Sequence, residues 1–141
     1  MKIAKRFRFE GAHRLPWHEG LCKSLHGHSY TMYVEIEGEL DEKGLLMDFK
    51  DLKQCLVPLI DAWDHATIVA AHDTELREVV ETKNWKHFIL PYDTTAENMC
   101  IYTADYLLQN SRDVLVAHRV HTIRVRVSET ETCYAEAERS L

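Results

Sequence analysis

The chain has 141 residues, 45% hydrophobic and 28% charged, with only 5 Gly and 3 Pro, which excludes collagen-like, low-complexity and disordered classes. Lys and Arg total 17 against 23 Asp and Glu; the net charge of −6 opposes a general nucleic-acid role, which needs a basic domain or stripe. The length predicts a single domain over residues 1–141, and 9 histidines are many for it.

The first segment alternates, with Ile3, Lys5, Phe7 and Phe9 on one parity and Ala4, Arg6, Arg8 and Glu10 on the other. That period describes a strand with one apolar face, whose odd parity carries on to His13. A loop marked by Pro16 and Gly20 follows as far as Cys22. A second strand is predicted from His26, with His28, Tyr30, Met32, Val34 and Ile36 on one side and Ser29, Thr31, Tyr33, Glu35 and Glu37 on the other. Gly38 and the turn Asp41–Gly44 end it. Asp48 reads as an N-cap, and Phe49, Leu52, Leu56, Leu59, Ile60 and Trp63 recur at helical spacing, with Pro58 expected to kink the helix.

Residues 66–93 carry the weakest pattern, with a short helix over Thr74–Thr82 and a short strand over His87–Leu90. Thr94-Thr95-Ala96-Glu97 reads as a capping box opening a helix to about Gln109. Ile123, Val125 and Val127 then alternate with Thr122, Arg124 and Arg126, and a brief strand over Cys133–Ala137 ends the pattern. The expected class is α+β: an antiparallel four-stranded sheet with two helices on its apolar face, in the order ββααββ. Its other face carries Arg6, Arg8, Glu35, Glu37, Arg124 and Arg126 and should be wet, and its open edges invite pairing between subunits.

The basic start Met1–Arg6 is not followed by the apolar stretch of a secretory signal. The longest run without a polar residue, Cys55–Ile60, is far short of the roughly 20 residues of a membrane span. Cys22, Cys55, Cys100 and Cys133 form no CxxC pair, so free thiols and a cytoplasmic location are expected.

His26-Gly27-His28 is the sharpest chemical feature, because residues i and i+2 of a strand point the same way and both imidazoles can reach one metal ion. Strand parity brings His13 to the same place as a third ligand. Taken alone, the His-x-His spacing also fits two core or surface histidines. Cys22 lies in a loop that passes near this cluster; a thiolate beside a cation has a lowered pKa and serves as a base, whereas a lone loop cysteine is a passive thiol. Asp64-His65 forms an oriented, more basic imidazole only if it lies in a turn. Glu129 is on the apolar parity of the third strand, either buried with a purpose or at a solvated strand end. Glu97 has a structural explanation as the acid of the capping box.

These signals converge on one pattern. Phe9–Leu15, Cys22–Tyr30, Met47–Phe49, Asp64-His65, Thr95–Asn98 and Val127–Thr130 span nearly the whole chain, and in this order they resemble the 6-pyruvoyl-tetrahydropterin synthase / 6-carboxy-tetrahydropterin synthase family. The resemblance implies the tunnelling fold, in which three subunits close a barrel and two trimers stack into a homohexamer, with the charged face lining the tunnel. It implies zinc on His13, His26 and His28, Cys22 as catalytic base, and Asp64 and His65 as its relay. It further implies that Glu129 anchors the pterin and takes part in the relay, helped in binding by Thr95 and Glu97.

The Cys-x3-His-Gly-His spacing resembles the carboxy enzymes, for which 7,8-dihydroneopterin triphosphate is the implied substrate, zinc the only cofactor and the queuosine pathway the setting. The alternatives are a 6-pyruvoyl-tetrahydropterin synthase and a zinc-binding homologue without catalysis; the latter predicts damage to Cys22, Asp64, His65 or Glu129, and all four are present. Trp63, Ile68-Val69 and a longer 66–93 segment depart from the family pattern; none is a proposed catalytic residue, and each is a candidate for reshaping the pocket rim, while Arg14 and Lys23 are candidate triphosphate contacts.

Overall fold

Alternation builds the first two strands as expected. In the computed structural model, which describes all 141 residues, β1 (Lys2–His13) pairs antiparallel with β2 (His26–Gly38), in a register running from Lys2 opposite Glu37 to His13 opposite His26. β2 then pairs antiparallel with β5 (Val120–Thr130), and β5 with β6 (Cys133–Ser140). One face of this array is apolar and buried, with Phe9, Tyr30, Met32, Val34, Ile36, Ile123, Val125 and Val127 all at most 1% exposed.

The sheet nevertheless has six strands and is mixed, which corrects the four-stranded expectation. β3 (Ala66–Ala70) runs parallel to β1 beside Gly11 and Ala12, β4 (His87–Leu90) runs parallel to β3, and the order is β4-β3-β1-β2-β5-β6. Four helices replace the two expected: α1 (Phe49–Trp63), α2 (Thr74–Thr82), α3 (Ala96–Asn110) and α4 (Arg112–Ala117). The weakly patterned segment is thus a β3-α2-β4 crossover. Ile68 and Val69 are both fully buried in β3, so the strand has no polar side to give it a period of two.

α1 and α3 lay Leu52, Leu56, Leu59, Met99, Ala104 and Leu107 on the sheet. Trp63 closes the core, with ring centroids 5.5 Å from Phe9, 5.9 Å from Phe88 and 5.9 Å from Tyr102. Trp63, Ile68 and Val69 are therefore core residues, and any effect they have on the pocket rim is through packing. α1 runs unbroken through Pro58, because the carbonyl that Pro58 leaves without a donor belongs to exposed Gln54 on the solvent side. On the opposite, charged face of the sheet, Arg124 pairs with Glu35 and Glu138, Arg126 with Glu136 at 2.8 Å, and Lys2 with Glu35 and Glu37 at 3.4 and 3.5 Å.

The crossover is tied to β1 just past His13. Arg14 donates from Nε and Nη2 to the two carboxylate oxygens of Asp73 at 2.7 and 2.6 Å, and from Nη2 to Glu75 at 2.9 Å. Asp73 also caps α2 by accepting from the Leu76 amide. Arg14 thus ties β1 to the crossover through Nε and Nη2.

Candidate active site

The β1–β2 register does what the spacing requires. His13 stands opposite His26, and Gly11 opposite His28, so three imidazoles share the core face at one end of the sheet. One ligand atom from each lies within 4.8 Å of the others. The His13 Nδ1 meets the Thr94 carbonyl at 2.6 Å and the His26 Nδ1 meets the Ser24 carbonyl at 2.7 Å. A carbonyl only accepts, so each contact keeps the proton on Nδ1 and leaves the Nε2 lone pair free.

The Nε2 atoms of His13 and His28 are buried with no hydrogen-bond partner. Burial, reinforced by the neighbouring imidazoles and opposed by the Thr94 carbonyl, pushes the His13 pKa down to about 4. Burial and His26 lower His28 in the same way. Neutral imidazoles with orphaned, converging lone pairs are costly as they stand, and a borderline-soft divalent cation satisfies them. The donor set fits zinc in a three-ligand site with one position open.

A cavity of about 310 Å³ adjoins this cluster, and Thr95, Glu97 and Glu129 all line it. Glu129 Oε1 is 3.6 Å from His13 Nε2, linking cavity and cluster. Burial, then the charge of Glu97, raises the Glu129 pKa, with His26 opposing. The helix cap differs from the expected one: Thr95 is the N-cap, its Oγ1 accepting from the Asn98 amide at 3.3 Å, so Glu97 is one residue short of the capping-box position. The structural explanation for Glu97 is thereby removed, and its carboxylate belongs to the cavity.

Asp64 and His65 do form a turn. Asp64 ends α1, His65 takes a left-handed φ of 57°, and its Nδ1 lies 2.9 Å from Asp64 Oδ2. The turn is pinned to β1 by Glu10, whose amide donates to Asp64 Oδ1 at 2.9 Å and whose carbonyl accepts from the His65 amide at 2.6 Å. The Asp64 carboxyl is held below its usual range, first by the Glu10 amide and then by His65. His65 opens onto a second cleft, which it shares with Glu10, Ser29 and His28 of the imidazole cluster. One chain therefore brings together His13, His26, His28, Thr95, Glu97 and Glu129, and leaves the Asp64–His65 pair outside that cavity. Cys22 sits half-buried in a single 3-10 turn, Leu21–Lys23, and its carbonyl accepts from the amide of Leu15, a cavity-lining residue, at 2.8 Å. All four cysteines are free.

A family model for 6-pyruvoyl tetrahydropterin synthase matches residues 2–140. The chain belongs to this family. Within the 6-pyruvoyl tetrahydropterin synthase family it is 33% identical to a 6-carboxy-5,6,7,8-tetrahydropterin synthase of Haemophilus influenzae, over 96% of each chain. It is 31% identical to the enzyme of the same name from Aquifex aeolicus, again over 96% of each. Among solved structures, a catalytic-residue mutant of the Plasmodium vivax 6-pyruvoyltetrahydropterin synthase superposes with a TM-score of 0.82 at 18% identity, covering 100% of this chain and 98% of that one. At that identity the likeness concerns the fold.

Several cavity and cluster groups escaped the sequence reading. The Thr94 and Ser24 carbonyls orient the imidazoles, but backbone acceptors leave no side-chain pattern. Trp17, Cys133 and Tyr134 line the cavity from a loop and a strand end, where apolar periodicity gives no signal.

Proposed function

We propose that the protein is a zinc-dependent 6-carboxy-5,6,7,8-tetrahydropterin synthase, a lyase-type enzyme converting 7,8-dihydroneopterin triphosphate to 6-carboxytetrahydropterin, acetaldehyde and triphosphate in the queuosine (7-deazaguanine) pathway. The observation carrying this reading is the convergence of three imidazoles, with two buried Nε2 atoms lacking partners, beside a cavity that holds two carboxylates. The names of the Haemophilus influenzae and Aquifex aeolicus relatives support the carboxy product over the pyruvoyl one.

His13, His26 and His28 hold the zinc, which when bound supplies Lewis-acid polarisation of the substrate's side-chain oxygens. Glu129 accepts pterin N–H bonds, and Glu97 offers a second acceptor in the same cavity. Thr95 Oγ1 already accepts from Asn98, so its hydroxyl hydrogen is free to donate to the ligand. Cys22 is assigned as the base and Asp64–His65 as its relay, with Asp64 holding the proton on His65 Nδ1 and leaving Nε2 to exchange one. The expected result is that purified protein given 7,8-dihydroneopterin triphosphate releases 6-carboxytetrahydropterin and acetaldehyde, read by mass spectrometry. A 6-pyruvoyl product, or none, defeats the proposal.

The sheet's open edges support an assembled enzyme, and we propose a homohexamer, a dimer of trimers. Met1 and Gly38 exchange both backbone bonds, so the odd residues of β1 face β2 and the even ones face outward. Asp64 and His65 occupy Glu10, and β3 pairs at Ala12, which leaves the outward groups of Lys2, Ala4, Arg6 and Arg8 open. At the other edge, the bond from Leu141 N to His121 O sets the outward set of β6 as Tyr134, Glu136, Glu138 and Ser140. One open edge is basic and the other acidic, which suits head-to-tail strand pairing that closes a ring. Light scattering at micromolar concentration should give six times the 16.5 kDa chain mass, and a clean monomer refutes the assembly.

A further inference from the structure

The turn that enters α3 serves both halves of the site. The Thr94 carbonyl meets the His13 Nδ1 at 2.6 Å, and Thr95 and Glu97, just after it, line the cavity. One residue grips this turn on both sides of Thr94. Asn98 donates from Nδ2 to the Asp93 carbonyl at 2.9 Å, and its backbone amide donates to Thr95 Oγ1 at 3.3 Å. The first bond fixes the peptide plane before Thr94 and the second fixes the residue after it, so the carbonyl between them is held in one direction. With Thr95 as N-cap, Asn98 stands at the third helical position, where the side chain of a capping box accepts from the N-cap amide. Asn98 donates instead, to a carbonyl two residues before the cap. Its side chain therefore satisfies none of the unpaired amides of the helix and holds the turn.

The demand for such a hold is set by His13. The residue is 2% exposed, its Nε2 is buried without a partner, and the Thr94 carbonyl is the only hydrogen-bond partner of its ring. Any rotation of that carbonyl turns the imidazole and moves Nε2 relative to His26 and His28. We propose that Asn98 is a positioning residue for the metal ligand His13, acting through the Thr94 carbonyl. The proposal rests on the zinc reading above and adds a residue that belongs to neither the imidazole cluster nor the cavity lining. Because Thr95 and Glu97 ride on the same turn, Asn98 also fixes their place relative to the imidazoles. Groups that orient a metal ligand are worth roughly 10–100-fold in metal affinity, and Asn98 acts one bond further out, which puts it near the lower end.

The test is the zinc affinity of the full-length protein, read by competition with a chromophoric chelator, beside thermal unfolding of the metal-free protein. Asn98→Ala and Asn98→Asp both remove the donor to Asp93 and keep the backbone amide that meets Thr95. Each should weaken zinc by about 10-fold. A carboxylate in the first turn suits the positive end of the helix dipole, so Asn98→Asp should unfold close to the wild-type temperature while its zinc affinity falls. A role confined to helix stability predicts wild-type zinc affinity for this variant. Asn110→Ala is the control, because Asn110 makes the same kind of bond at the far end of α3, from Nδ2 to the Tyr106 carbonyl at 2.9 Å; it should leave zinc affinity unchanged. If Asn98→Asp binds zinc as wild type does, or if Asn110→Ala weakens zinc as much as Asn98→Ala, the positioning role is overturned while the zinc reading stands. A wild-type protein that takes up no zinc overturns both.

Discussion

His26→Ala should lower zinc from about one ion per chain to a small fraction of that, with the far-UV circular dichroism unchanged. The three imidazoles are the ligands of the proposed site, so losing one leaves only two of them to hold the ion. Changing a group that merely orients a ligand typically costs 10–100-fold in metal affinity, roughly, and removing the ligand itself must cost more. His26 is the right position to test because it is half-buried and its only side-chain bond is to the carbonyl of Ser24, two residues away. His13, at 2% exposure and bonded to Thr94 across the fold, would confuse loss of metal with loss of packing. Metal analysis after dialysis against a weak chelator reads the result. A His26→Ala, His28→Ala double variant that kept its full zinc would remove the site from these residues altogether.

The legible parts of the molecule were those where side-chain pattern and backbone period coincide. β1 and β2 each bury one face and expose the other, so parity alone placed His13, His26 and His28 together and put Arg6, Arg8, Glu35 and Glu37 on the wet face. β3 had no such contrast. Its residues 68–70 are all buried, and five residues without a polar face carry neither a period of two nor a helical one. The capping box went wrong by one residue because Thr94 and Thr95 are both competent caps. The distinction lies in tertiary contacts: the Thr94 carbonyl is taken by His13 and its hydroxyl reaches the Arg14 carbonyl, which leaves Thr95 to cap α3. The same bonds show why the error mattered, since the register of the cap decides whether Glu97 serves the helix or the cavity. The ion pair of Arg14 with Asp73 was not legible either, because the two residues are 59 positions apart, although the helix that Asp73 caps was expected at Thr74–Thr82.

Cys22→Ala and Glu129→Gln should separate two functions that adjoin one metal site. Cys22→Ala removes a thiol that is outside the imidazole cluster, so zinc should remain and a pterin should still bind. Turnover should fall by about 10²–10⁴, the usual contribution of a positioned acid–base group. Glu129→Gln keeps the shape of the side chain but replaces one acceptor oxygen with a donor, in a cavity where burial and Glu97 already disfavour charge. A pterin N–H left without its acceptor costs about 1–3 kcal/mol, or roughly 5- to 150-fold in affinity, so this variant should lose binding as well as rate. Calorimetric titration with 7,8-dihydroneopterin beside single-turnover rates gives both quantities for each variant. The contrast carries the test: one substitution lowers rate at fixed affinity, and the other lowers both. If Cys22→Ala turned over normally with its zinc in place, the thiolate would be excluded as base and His65, 75% exposed in the cleft it shares with His28, would be the remaining group able to take the proton.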